Sequence, residues 1–173
     1  MRIRSGNWFT TKVKYQKTDQ EDGTEKMVTE AYLVDALTFT EAESSIIDEI
    51  SVYVSGEFSV AGISKANYRE ILISDGDDDD KWYKVKISLI FLDEKTGKEK
   101  RATITQLVQA KSLARALRYV EEYMGQGQED YEVVGINDTS IMDVFEHKTA
   151  GQKKEEKNDV PEYEQENAQP KAE

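Results

Sequence analysis

The chain resembles itself when it is shifted by 74 positions. The aligned segments are Trp8-Phe9 with Trp82-Tyr83, Gly23-x-Glu25-Lys26 with Gly97-x-Glu99-Lys100, and Leu33-Val34-x-Ala36 with Leu107-Val108-x-Ala110. Beyond the helical segment the offset becomes 73, so that Phe58-x-Val60 aligns with Tyr131-x-Val133. Self-similarity at a fixed spacing is typical of duplicated structural units. We therefore predict two copies of one unit in tandem.

Each copy has the pattern of two strands, a helix and two further strands. In each first strand, apolar and polar side chains alternate, as in a sheet with one buried face. Gly23 and Gly97 mark hairpin turns, because glycine readily adopts a positive φ. The first helix is expected to begin at Thr38 or Thr40, where Thr40-x-x-Glu43 has the spacing of a capping box, and the second at Ser112. The predicted fold is α+β, a tandem pseudo-symmetric repeat of two β-β-α-β-β units with antiparallel sheets and one helix per unit.

The repeat and the local composition set the predicted boundaries. The first unit spans residues 1–73, an acidic linker 74–80, the second unit 81–148, and an acidic tail 149–173. Five aspartates beside Gly76 in the linker could suggest a calcium loop, but the glutamate that closes such a loop is absent, so we interpret the segment as a solvated linker. The tail has few large apolar side chains, which predicts disorder. It either competes for a basic face or recruits partners, or it only aids solubility.

The residue types that most catalytic and metal sites require are scarce. The chain has no cysteine and one histidine, His147, which excludes disulfides, thiolate sites and histidine-rich metal sites. No phosphate-binding glycine loop and no serine-nucleophile elbow occur. We predict a protein that is not an enzyme, with no cofactor and no metal, and with His147 at the surface. The lack of cysteine and of long apolar segments predicts a cytoplasmic protein without membrane contact.

Charge is distributed unevenly along the chain. The formal net charge of −12 opposes indiscriminate binding to polyanions. Residues 81–118 nevertheless carry ten basic side chains against three acidic ones, and residues 1–18 carry five basic side chains and no acid. The second unit is therefore the more basic half.

The outward face of each first strand carries an aromatic side chain beside lysines. If the odd positions are buried, the even positions point outward; the predicted binding residues are Trp8, Lys12, Lys14, Trp82, Lys84, Lys86, Lys100 and Arg101. Exposed aromatic rings that stack on bases, beside cations that follow the backbone, are typical of single-strand binders. The alternative is that Trp8 and Trp82 cover the edge of the core while the lysines keep a sheet face soluble.

Two functions from different classes follow, and a third interpretation, an enzyme that uses carboxylates and a divalent metal, would require metal-dependent turnover. The first is a non-enzymatic protein that binds single-stranded DNA or RNA, as an accessory factor in replication or recombination. The alternative is a protein-protein interaction or structural module, with partners bound through the tail or a sheet edge, or with a second copy in a homodimer.

The motifs also resemble a known family. The Trp-Phe opening strand, the Tyr32-Leu33-Val34-x-Ala36-x-Thr38-Phe39-x-Glu41-Ala42-Glu43 stretch and the Ile141-Met142-Asp143-Val144 ending are similar to an uncharacterised domain-of-unknown-function family of gut anaerobic bacteria and their phages, over about residues 7 to 146. The resemblance implies a bacterial or phage protein and no established activity. At fold level the doubled unit is similar to the Whirly and Pur-type single-strand binders, although the element order differs from theirs.

Overall fold

A computed structural model of the chain describes residues 1–147, and nine strands and two helices lie within them. The predicted tail, 149–173, falls outside these residues. The elements are β1 (Arg2–Arg4), β2 (Trp8–Thr18), β3 (Glu25–Asp35), α1 (Phe39–Ser51), β4 (Phe58–Ala66), β5 (Glu70–Ile73), β6 (Lys81–Leu92), β7 (Glu99–Ala110), α2 (Leu113–Met124), β8 (Asp130–Asp138) and β9 (Ile141–Phe145). The protein is thus α+β, with more strand than helix.

The strands form two sheets, and each sheet contains strands from both halves of the chain. The first sheet has the order β4-β2-β3-β9 and the second the order β1-β5-β7-β6-β8. Strand β9, near the end of the described chain, runs parallel to β3, and β5 runs parallel to β7 in the second sheet. The prediction of antiparallel sheets was therefore wrong: both sheets are mixed. Parallel neighbours need a long crossover between them: the connection from β3 to β9 runs through the second half of the chain, and the one from β5 to β7 contains β6.

Local sequence signals set the turns and helix starts. Gly23 and Gly97 occupy the β2–β3 and β6–β7 hairpins with φ of 69° and 66°, which glycine adopts at little cost. Helix α1 starts after Thr38, whose Oγ1 accepts a hydrogen bond from the backbone N–H of Glu41 at 3.1 Å. The Ser112 Oγ caps α2 in the same way, at 3.2 Å from Arg115 N. Of the two predicted starts for the first helix, Thr38 is the one observed.

Each helix covers one face of one sheet. Helix α1 buries Ala42, Ile46 and Ile50 against Phe9 and other apolar residues of the first sheet. Helix α2 buries Ala116, Val120 and Met124 against the second sheet, in a cluster that includes Tyr83, Val85, Ile87, Leu89 and Val108. Each helix has an apolar stripe because these residues recur at helical spacing, and the stripe is what it buries.

The two sheets meet through their other faces. A third cluster contains Trp8 and Leu33 from the first sheet and Ile71, Ile73, Trp82 and Leu107 from the second. In each strand these residues alternate with those that contact the helices. The order of layers is therefore α1, first sheet, second sheet, α2, and both sheets contribute to the third cluster.

The segment 74–80 is only partly the solvated linker that we expected. It connects β5 to β6, and Asp77 and Asp80 are exposed. Asp79 is buried, and its carboxylate accepts hydrogen bonds from Tyr119 Oη and from the backbone N–H of Lys111, each at 2.8 Å. Buried carboxylates require such partners. This segment therefore fixes the start of α2 to the end of β5. Within residues 1–147, no helix is long and apolar enough to cross a membrane.

Candidate nucleic-acid interface

Both tryptophans of the predicted site lie in the core. Trp8 and Trp82 begin β2 and β6, and only 1% and 3% of their surfaces are exposed. Each ring lies on the sheet face opposite the helix, as predicted, but the other sheet covers that end of the face. The expectation that these rings face solvent was wrong, because alternation along a strand identifies its two faces and not what covers them. Neither ring is accessible for stacking on a base.

Lys12 and Lys14 remain exposed on the same face of β2 as Trp8. At about 3.3 Å per residue, Lys12 lies roughly 13 Å along the strand from the tryptophan, beyond the covered end. Lys12 pairs with Ala31 and Lys14 with Thr29 on the adjacent β3. The neighbouring cross-strand positions are therefore uncharged, which leaves this end of the face positive.

Lys86 on β6 is equivalent to Lys12, and Lys84 lies two residues closer to Trp82, opposite Leu107 of the cluster between the sheets. Both are exposed, and they lie on the face of the second sheet that carries Trp82. Across the strands, Lys86 is opposite Thr105 on β7 and Gly135 on β8. Among residues 1–147, neither of these lysines forms an ion pair, and the same holds for Lys12 and Lys14. The structure therefore presents two pairs of unneutralised lysines, one pair on each sheet.

The remaining two predicted residues are already engaged by carboxylates. Lys100 forms an ion pair with Asp93 of its own hairpin, and hydrogen bonds from Lys100 and from the loop backbone hold the pKa of Asp93 below its usual range. Lys100 is opposite Phe91, so its side chain lies on the helix-bearing face of the sheet, away from Lys84 and Lys86. The structure therefore does not bring Lys100 together with the other predicted residues.

Arg101 lies on the lysine-bearing face but is paired twice. Its Nη1 donates to Glu132 Oε2 at 2.8 Å and its Nε to Glu99 Oε1 at 3.1 Å. The hydrogen bonds to Glu132 and Glu99 raise the pKa of Arg101 above its ordinary value. Strand alternation identified the correct face for this residue but not the carboxylate that β8 places beside it.

Two arginines near the amino terminus join the same sheet, and the prediction did not include them. Arg2 and Arg4 lie on β1, which pairs with β5 at the edge of the second sheet. Both contact Glu146, with Arg4 Nε at 2.8 Å from its Oε1. The run of basic residues at positions 1–18 was the available signal, but a strand of three residues has too few positions to show alternation.

Two further titratable groups, His147 and Glu70, have partners of their own. His147 is exposed, as expected, and its Nδ1 lies 3.3 Å from Glu41 Oε1. A cavity of about 270 Å³ near the end of α2 is lined by Glu70, whose carboxylate accepts from Tyr123 Oη at 2.9 Å and from Gln106 Nε2 at 2.7 Å. Burial and the Glu70 hydrogen bond raise the pKa of Tyr123. In the described part of the chain, no three acidic, histidine or cysteine side chains come together as metal ligands do.

Comparison with known proteins identifies a family without assigning an activity. Neither the curated proteins nor the solved structures yield a significant match to this chain. One family model, described as a domain of unknown function (DUF4494), matches residues 7–147, which include every element from β2 to β9. The resemblance noted in the sequence is confirmed to this extent: the chain belongs to the DUF4494 family.

Proposed function

We propose that the protein is a non-enzymatic binder of single-stranded DNA or RNA that contacts phosphates through Lys12, Lys14, Lys84 and Lys86. The observation that carries this proposal is the exposure of these four lysines, without ion pairs in residues 1–147, on corresponding faces of the two sheets. A strand face with cations at every second residue fits an extended phosphate backbone.

The burial of the tryptophans changes the proposed mechanism. Because neither tryptophan ring is available beside these lysines, affinity comes from phosphate contacts and release of counterions rather than from base stacking. For single strands, the logarithm of the binding constant falls with the logarithm of salt concentration by roughly 0.7 per phosphate contact. Four lysine contacts then predict a slope of about −3. Binding should be insensitive to base sequence and confined to low salt, since the net charge of −12 repels the ligand elsewhere on the surface.

The test is fluorescence anisotropy with a labelled single-stranded oligonucleotide at several salt concentrations. The double variant Lys84→Ala/Lys86→Ala should bind more weakly, with a salt slope shallower by roughly 1.4. Lys65→Ala is the matched control, because Lys65 is an exposed strand lysine opposite Phe9, on the helix-bearing face of the first sheet. Absence of salt-dependent binding by the wild type, or an equal effect of both variants, would refute the proposal.

We also infer that the two halves arose by duplication of one ββαββ unit. Several features separated by 74 positions support this: the positive-φ glycines Gly23 and Gly97, the buried Trp8 and Trp82, and the irregular pairing after Lys12 and after Lys86. The proposed likeness to Whirly and Pur-type folds rests on the repeated sheet-and-helix unit alone. Together with the resemblance to proteins of gut anaerobes and their phages, it favours a cytoplasmic accessory role in bacterial or phage replication or recombination.

A protein-interaction module is the second candidate function, and the free sheet edges favour it. In the described residues, β9 and β4 border the first sheet and β1 and β8 the second, each with one unpaired side. Met142 on β9 and Val134 on β8 are about half exposed. An open edge can add a strand from another chain, including a second copy. Light scattering behind size exclusion distinguishes the two functions: a dimer that persists at high salt, without oligonucleotide binding, supports the interaction module.

A further inference from the structure

Three basic side chains surround a surface cavity of about 400 Å³ at the start of α2. Lys111 precedes the capping residue Ser112, and Arg115 and Arg118 follow on the helix. Because α2 covers the helix-bearing face of the second sheet, this cluster lies across that sheet from Lys84 and Lys86. It is therefore separate from the lysines of the proposed nucleic-acid interface.

The carboxylate of Asp78 now lies between two of these cations. Its Oδ2 is 2.6 Å from Lys111 Nζ and its Oδ1 is 3.1 Å from Arg115 Nη1. The Asp78 side chain is 58% exposed, so a small rotation carries it into water. Asp79, the next residue, is buried and accepts hydrogen bonds from Tyr119 Oη and the Lys111 backbone, and its Oδ1 also lies 3.3 Å from Arg115 Nη1. The ion pairs of Asp78 are thus distinct from the hydrogen bonds to Tyr119 and the Lys111 backbone that hold the segment in place.

The cluster has more positive than negative charge, and it has hydrogen-bond donors without a carboxylate partner among residues 1–147. Arg118 has no carboxylate partner among residues 1–147, and its guanidinium lies over the Tyr119 ring at 5.8 Å. Arg115 flanks the same ring at 5.7 Å, and its Nε is buried without a hydrogen-bond partner in the described part of the chain. The exposed guanidinium of Arg118 therefore supplies donors that a ligand can reach. Three cations face one exposed and one buried carboxylate, which leaves one positive charge uncompensated.

We propose that Lys111, Arg115 and Arg118 form a binding site for a phosphate monoester, with Asp78 as an internal competitor for the same cations. A monoester carries between one and two negative charges at neutral pH and three strong acceptor oxygens, whereas a diester carries one charge. Arginine guanidinium groups bind phosphate oxygens in a fixed planar geometry. A phosphate that displaces Asp78 therefore brings more negative charge than the carboxylate it replaces, and it does not compete for the hydrogen bonds that Asp79 accepts from Tyr119 and the Lys111 backbone.

The test is an NMR titration of the full ¹⁵N-labelled chain with inorganic phosphate, and with dimethyl phosphate as the diester comparison. The Nε–Hε signal of Arg115 is the reporter, since this group is buried and lacks a partner. We expect the signal to move with phosphate and much less with the diester. Asp78→Asn should tighten phosphate binding roughly three- to tenfold, because it removes the charge of two exposed ion pairs.

Arg118→Ala should weaken phosphate binding, and because Arg118 is exposed, this variant keeps the test valid even if Lys111→Ala or Arg115→Ala fails to fold. Lys86→Ala is the control and should titrate as the wild type does. A signal unmoved by phosphate, or equal affinities for wild type and Asp78→Asn, would overturn the proposal. Because the Lys86 and Arg118 variants affect different faces, loss of oligonucleotide binding and loss of phosphate binding are distinguishable.

Discussion

Replacing Asp79 tests whether the segment 74–80 holds the start of α2 at the end of β5 or only connects two strands. The Asp79 side chain is fully buried, and its carboxylate joins Ser74 at the end of β5, the backbone of Lys111 before α2 and the Tyr119 hydroxyl on α2. Arg115 Nη1 lies 3.3 Å away. Asp79→Ala leaves the Lys111 N–H and Arg115 without this acceptor. Breaking a buried charged network by removing one partner costs about 3–5 kcal/mol of unfolding free energy.

This loss should be visible in urea and thermal unfolding. For a chain of this size, 3–5 kcal/mol corresponds to a fall in Tm of roughly 6–20 °C. Asp80→Ala is the matched control: Asp80 is the exposed neighbour, and its replacement should change the unfolding free energy by no more than about 0.5 kcal/mol. Equal effects of the two variants would show that Asp79 is no more structural than the rest of the segment.

The pH dependence gives an independent check. Burial raises the pKa of Asp79, but hydrogen bonds from Ser74, Tyr119 and the Lys111 backbone, together with Arg115, outweigh it and leave the pKa below its usual value. The unfolded chain therefore binds this proton more readily than the folded one. The stability that the carboxylate contributes is fully present above about pH 4 and is lost as pH falls through the lower, folded pKa. Asp79→Asn should reduce the loss of unfolding free energy at acidic pH. An unchanged loss would contradict this role for the Asp79 carboxylate.

Three further predictions concern the core, a turn and a tyrosine. Trp82→Ala should lower the unfolding free energy by about 3–5 kcal/mol in urea denaturation, whereas Lys84→Ala on the same strand face should change it by less than about 0.5 kcal/mol. Gly97→Ala, at φ of 66°, should cost about 1–2 kcal/mol in the same assay, since only glycine accepts this conformation freely. Burial and the hydrogen bond to Glu30 raise the pKa of Tyr15 to about 12, so stability should fall between about pH 10 and pH 12. Ultraviolet titration should show Tyr15 ionising late in the wild type and earlier in Glu30→Gln.

Local features of the fold were predictable because their causes are local. A glycine in a hairpin needs only its own φ, and a capping serine such as Ser112 needs only the N–H groups of the next turn. The apolar stripes that predict helix burial likewise depend on residues within a few turns, as for Ala116, Val120 and Met124. These signals specified the two helices and the two long hairpins without knowledge of the tertiary structure.

The strand exchange and the burial of the tryptophans were not predictable in the same way. The apolar pattern of β9 is satisfied by any sheet edge with a suitable register, so it does not identify β3 as the partner. For Trp8 and Trp82, the pattern placed both rings on one face with the lysines, but cover by a second sheet depends on contacts distant in sequence. Asp79 and Asp80 are the same residue type and differ only in their tertiary contacts. The amino-acid composition of the segment does not reveal these contacts.

The exchanged strand also determines when the chain can fold during its synthesis. Ala31 of β3 pairs with Ile141 of β9, so the edge of β3 has no native partner until residues more than a hundred positions later have been made. Closing contacts across such separations is slow, and an open strand edge can pair with other chains in the meantime. The two halves therefore do not mature one after the other on the ribosome. A fragment that stops before β9 should expose this edge and aggregate rather than persist as a folded half.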